Sequence, residues 1–84
     1  MRLTYSPSAL KALRKGPAKE MAALRAKLQE VAADPLGPYP WAKRLTDQPG
    51  YRARQGDWRA VYRLDHTTDE MIVDIIAQRD EVYK

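Results

Sequence analysis

Tyr51-Arg52-Ala53-Arg54-Gln55-Gly56-Asp57-Trp58-Arg59-Ala60-Val61-Tyr62-Arg63-Leu64-Asp65 reads as two strands joined by a two-residue turn. Gly56 at the first turn position suits a type II′ hairpin, whose twist matches that of the flanking strands. Such a turn sets Gln55 opposite Trp58, Arg54 opposite Arg59, Ala53 opposite Ala60, Arg52 opposite Val61 and Tyr51 opposite Tyr62. Side chains alternate between the two faces of a sheet. One face then carries Arg52, Arg54, Arg59, Val61 and Arg63. The other carries Tyr51, Ala53, Trp58, Ala60, Tyr62 and Leu64, an apolar set that needs a partner layer.

That layer lies N-terminal to the hairpin. Residues 18–33 place Met21, Leu24, Leu28 and Val31 at steps of three, four and three, one stripe of an amphipathic helix. A shorter helix from Pro7 to about Lys15 precedes it, with Ser6 as cap, Pro7 in the first turn, and Leu10 and Leu13 on the inner face. Gly16-Pro17 ends one helix and opens the next, and Asp34-Pro35 stops the second. Residues 1–5 alternate apolar and polar and read as a strand, as does 41–45. A turn at 66–69 leads to a last strand, Glu70–Gln78, rich in Ile and Val. The expected fold is α+β, in the order β-α-α-β-β-β-β, with two helices on one face of a small antiparallel sheet. The 84 residues allow one domain, 1–84.

Composition excludes several chemistries. There is no Cys and a single His, so thiolate zinc sites, cysteine nucleophiles and a His-rich metal cage have nothing to build on. No metal and no cofactor are expected. No apolar run approaches the roughly 18 residues of a membrane span, and residues 1–5 lack the apolar region of a signal peptide. The absence of Cys fits a reducing, cytoplasmic setting.

The charge is unevenly spread. Residues 43–63 hold six Lys/Arg against two Asp/Glu, whereas 64–84 hold two against six. The basic set is Lys43, Arg44, Arg52, Arg54, Arg59 and Arg63. Arg54 facing Arg59 is a like-charge pair, which costs stability in a sheet. Either these arginines spread into solvent and pair with Asp57, Asp74 or Glu81, or they meet a polyanion. The guanidinium fork, which donates two parallel hydrogen bonds, favours phosphate. Lys43, Arg44, Arg52, Arg54 and Arg63 are the expected RNA contacts. By register Trp58 and Tyr51 face the core. Tyr39 and Trp41 read as a plug over the sheet edge, with rim contacts as the second reading, and His66 reads as a surface turn residue.

The hairpin resembles the signature segment of the RelE/ParE toxin superfamily, in which a basic Y-R-x-R-x-G-D-(aromatic)-R-x-(V/I)-Y pattern recurs. Residues 75–83, Ile-Ile-Ala-Gln-Arg-Asp-Glu-Val-Tyr, are similar to that family's closing segment, and residues 4–13 to its start. The resemblance implies the toxin of a type II toxin–antitoxin system with a cognate antitoxin as partner. For RelE-like members it further implies a metal-independent endoribonuclease that cuts mRNA in the ribosomal A site. Carried over by position, Arg52 and Arg54 match the basic pair before the turn, Arg59 the arginine after it, Arg79 the tail arginine and Tyr83 the terminal tyrosine. Arg59 and Arg79 would clamp the scissile phosphate, and Tyr83 would orient or deprotonate the 2′-hydroxyl. The chain departs from the pattern twice. Both residues before the turn are arginines, which stay protonated, and Gln78 stands where His or Lys is frequent. Glu81 is then the fallback base. Strict alternation puts Arg79 on the apolar face, so a bulge near Gln78, or the strand ending there, is expected. Two further readings stay open: a ParE-like poison of DNA gyrase, and a non-catalytic RNA- or ribosome-binding module.

Overall fold

The helix stripe read from residues 18–33 is the centre of the structure. In the computed structural model, which describes residues 1–78, helix α2 (Ala18–Ala33) buries Met21, Leu24, Leu28, Val31 and Ala32. Leu24 and Leu28 are wholly enclosed, each side chain stabilising the fold by about 1.5–3 kcal/mol relative to exposure. They pack on Ala53, Ala60, Tyr62, Met71, Val73 and Ile76 from the sheet. Pro17 stands at the N-cap of α2, just outside the helix, and Asp34 at its C-cap.

Helix α1 (Pro7–Lys15) starts as expected. Ser6 Oγ accepts from the Ala9 amide at 3.0 Å, and Pro7 occupies the first turn, where no N–H is required. Its buried residues are Ala9 and Leu13, not Leu10 and Leu13; Leu10 is exposed. Residues four apart share a helix face, and the Ser6 and Ser8 hydroxyls both donate to the Asp74 carbonyl of the sheet. The small side chain of Ala9 fits that close approach. Gly16 ends α1 in an extended conformation, and a Cβ there would meet Met21 Sδ at 2.7 Å. Glycine is needed for space, not for handedness.

Among the described residues five strands form one sheet in the order β1-β5-β4-β3-β2: β1 (Arg2–Tyr5), β2 (Ala42–Arg44), β3 (Tyr51–Gln55), β4 (Trp58–Asp65) and β5 (Glu70–Gln78). The strand expected over 41–45 is three residues long. β2 to β5 make the expected antiparallel meander. β1 joins it at the β5 edge as a parallel partner, Leu3 beside Met71 and Tyr5 beside Val73, so the sheet is mixed. The helical crossover accounts for this: α1 and α2 carry the chain over the sheet and allow the first strand to run alongside the last. The Met1 amino group donates to the Ala32 carbonyl at 2.8 Å, tying β1 to the end of α2.

The hairpin register is as read from the sequence at all five pairs, and Gly56 has φ +58°. Between β4 and β5 the register shifts at Val61/Tyr62. Val61 pairs with Ile75 and Tyr62 with Val73, so Asp74 is the extra residue of a bulge. The irregularity expected near Gln78 thus lies four residues earlier, and Asp74 is not directly opposite Val61. C-terminal to the bulge, Ala77 pairs with Arg59 and shares its face.

Candidate nucleic-acid interface

The sheet face away from the helices gathers the basic residues. β2 pairs with β3 so that Lys43 lies directly beside Arg52. The Arg54 amide donates to the Trp41 carbonyl at 2.8 Å, extending that contact past the end of β2. Lys43, Arg52 and Arg54, with Pro40 and Trp41, line a shallow hollow of ≈ 80 Å³. Among the described residues no carboxylate lines it. A second hollow of ≈ 220 Å³ lies alongside, lined by Lys43, Arg44, Arg52 and residues 45–48. Arg44 pairs with Tyr51 and so belongs by alternation to the helix side, but it reaches this second hollow.

The other two arginines of the hairpin are placed differently. Arg59 is 9% exposed. Its Nη1 donates to the carbonyls of Gly56 at 2.9 Å and Trp58 at 3.0 Å. The guanidinium is folded back onto its own turn. Arg63 makes a two-pronged bridge to Asp74, Nε to Oδ2 at 2.7 Å and Nη2 to Oδ1 at 3.1 Å. Hydrogen bonding to Asp74, and then its charge, hold Arg63 protonated even beyond its usual range. The cluster of four arginines read from the hairpin therefore resolves into a basic hollow, one buried guanidinium and one neutralised bridge. Arg79, Tyr83 and the fallback base Glu81 lie outside the described residues.

The helix layer supports the hollow from behind. Lys27 of α2 donates to the Arg54 carbonyl at 2.9 Å and lies over the Trp41 ring, 5.4 Å from its centroid. Trp41 also packs on Tyr39, with ring centroids 4.9 Å apart. The Tyr39 hydroxyl donates towards the carbonyls of Asp34 at 2.7 Å and Glu30 at 3.0 Å, closing the end of α2. Tyr39 and Trp41 do pack against the core as a plug. Trp41 also lines the basic hollow, in keeping with the second reading of it as a rim residue. The signal is positional: Trp41 stands two residues before Lys43, so pairing Lys43 with Arg52 brings Trp41 level with Arg54. His66 is an exposed turn residue, as expected. Among the described residues no three His, Cys, Asp or Glu side chains are grouped to hold a metal ion. Among the described residues no helix is long and apolar enough to cross a membrane.

No protein-family model matches the chain, and no curated protein matches it by sequence. Solved structures do match. The isolated E. coli RelE toxin superposes with a TM-score of 0.79 and 26% identity, over 98% of this chain and 89% of that one. A chain of the archaeal RelE–RelB complex from Pyrococcus horikoshii gives 0.79 at 19% identity, over 96% and 97%. The YoeB/ParE toxin from Agrobacterium tumefaciens gives 0.77 at 17% identity, over 93% and 98%. The chain has the fold of the RelE/ParE toxin superfamily. In this RelE-like fold the helices cover one face of the sheet, and the hairpin within it turns its arginines to the other. The fold expected from the resemblance is the one observed.

Proposed function

We propose that this protein is the toxin of a type II toxin–antitoxin pair, and that it cleaves mRNA in the ribosomal A site. The observation that carries the reading is the hollow of Lys43, Arg52 and Arg54 beside the buried Arg59, on a RelE-like fold. The cleavage is transesterification: a ribose 2′-oxygen attacks the adjacent phosphorus and the 5′-oxygen of the next nucleotide leaves. A 2′,3′-cyclic phosphate and a 5′-hydroxyl end result, with the 2′-proton passing to a base and the leaving oxygen gaining one. The attack places extra negative charge on the phosphoryl oxygens, and preorganised guanidinium donors stabilise that charge. Arg54 and Arg59 from the hairpin take this role with Arg79. Lys43, Arg44, Arg52 and Arg63 contact neighbouring phosphates. Tyr83 orients or deprotonates the 2′-hydroxyl, and no metal is required. The bulge at Asp74 puts Ala77 on the Arg59 face, which supports a contribution from the tail to that face.

The antitoxin would cover the basic face with an acidic or amphipathic segment. The complexes of RelE with RelB among the structural neighbours support this partner, and a cytoplasmic setting goes with it. The YoeB/ParE neighbour supports the second reading, a gyrase poison.

The test is incubation of the purified chain with an mRNA, with and without programmed ribosomes, mapping the ends produced. Cleavage on ribosomes only, lost in Arg59→Ala, Arg79→Ala and diminished in Tyr83→Phe, is the expected result. No cleavage under either condition overturns it, and a supercoiling assay with gyrase then decides the second reading.

A further inference from the structure

Trp41 is held more firmly than a plug requires. Its carbonyl is fixed by the Arg54 amide, and its ring is bracketed by Tyr39 and the Lys27 ammonium. Tyr39 is in turn anchored to the carbonyls that end α2. The part of the indole that remains half-exposed faces neither solvent alone nor the core: it forms a wall of the hollow shared with Lys43, Arg52 and Arg54. A rigid aromatic surface beside three cations is the combination that binds single-stranded nucleic acid, with phosphates on the cations and a base against the ring. The hollow is too shallow to enclose its ligand, which suits stacking on a platform better than reading of a base edge.

We propose that this hollow is a nucleotide subsite for single-stranded RNA, in which a base packs on Trp41 while its flanking phosphates lie on Lys43, Arg52 and Arg54. The inference deepens the RNA-cleaving reading above and rests on it. Trp41 is then a positioning residue for the substrate strand, packing a base next to the phosphate that Arg54 contacts. Because every base has a π-face, the subsite tolerates any base and gives at most a mild preference for purines.

The experiment uses the full chain carrying Trp58→Phe, so that Trp41 is the one indole left. A single-stranded RNA hexanucleotide and inorganic polyphosphate are titrated at low salt, with binding followed by calorimetry and Trp41 by its fluorescence. Both should bind, and only the RNA should quench Trp41. Trp41→Leu should weaken the RNA by about tenfold and the polyphosphate hardly at all. If Trp58→Phe does not fold, 5-fluorotryptophan in the wild-type chain gives a separate fluorine resonance for each indole. RNA that binds with the indole silent overturns the subsite and leaves the RNA reading standing. RNA that does not bind at all overturns the subsite, and the ribosome assay above then decides the cleavage reading separately. Equal responses to RNA and polyphosphate reduce the hollow to a charge patch and overturn the subsite.

Discussion

Ser6 shows how much one small side chain can hold. Its Oγ accepts from the Ala9 amide and donates to the Asp74 carbonyl at 2.7 Å, so it caps α1 and ties that cap to β5. Ser6→Ala removes both bonds and leaves a partly buried carbonyl without this donor. We expect a loss of about 1–2 kcal/mol, read as a lower midpoint in thermal denaturation; an unchanged midpoint would show that the cap is supplied by water. Tyr62 is a second such residue. It is 2% exposed and stacks on Tyr51 with centroids 5.4 Å apart. Burial, and then the neighbouring tyrosines, push its hydroxyl up to about 12. The folded state therefore prefers the neutral phenol. The associated stability is complete below the ordinary tyrosine range near 10 and is lost as pH rises towards 12. Tyr62→Phe should remove roughly 2–3 kcal/mol of that alkaline loss, measured by urea unfolding at stepped pH. Equal alkaline loss in wild type and variant would contradict it.

At the scale of the element, the bulge in β5 is the feature with most consequence. By inserting Asp74 between Val73 and Ile75 it changes which residues of the strand share the arginine face. It also brings a carboxylate against Arg63. That bridge is half-exposed on both sides, so its contribution to stability is small, about 0–1 kcal/mol. Its larger effect is on the field of the face, since it cancels one of the hairpin arginines. Asp74→Asn should leave thermal stability almost unchanged and raise affinity for single-stranded RNA at low salt. It should also steepen the salt dependence by up to about 0.7 in log–log slope as Arg63, released from Asp74, gives its full charge to its phosphate. A filter-binding titration across salt concentrations measures both, and unchanged affinity would take Arg63 out of the RNA path. The turn before β5 is held by similar means. The Thr68 and Thr67 amides hold the Asp65 carboxyl below its usual range, and Thr68 and then Arg2 do the same for Glu70. Their stabilisation is present above the ordinary carboxylate range and is lost as pH falls below it.

On the scale of the whole molecule, the sheet separates two kinds of work. One face buries the core with α1 and α2, while the other carries the charge. The separation lets the basic face be altered without unfolding the chain. Single-stranded RNA held by Lys43, Arg52 and Arg54 should show a log–log salt slope of roughly −2, from about −0.7 for each phosphate neutralised. Lys43→Ala should reduce that slope by about 0.7 with no change in the unfolding midpoint, whereas Leu24→Ala should cost about 2–5 kcal/mol through the core. A salt-insensitive affinity would place the RNA site elsewhere on the surface.

The sequence alone determined what depends on near neighbours. The Gly56-Asp57 turn set the hairpin register, because a two-residue loop leaves one pairing open. The stripe from Met21 to Val31 set the buried face of α2, and Ser6-Pro7 set the start of α1, because caps and helical spacing act within a turn or two of chain. Three things waited for the tertiary structure. The parallel pairing of β1 with β5 joins residues almost seventy positions apart and follows from the crossover, not from either strand. The bulge at Asp74 has no sequence marker of its own; it arises from fitting β5 to β4 and β1 at once. The basic hollow depends on β2 arriving beside β3, with Lys27 of α2 fixing Trp41 from behind. Local spacing fixes elements, and contacts between distant segments decide which of their side chains meet.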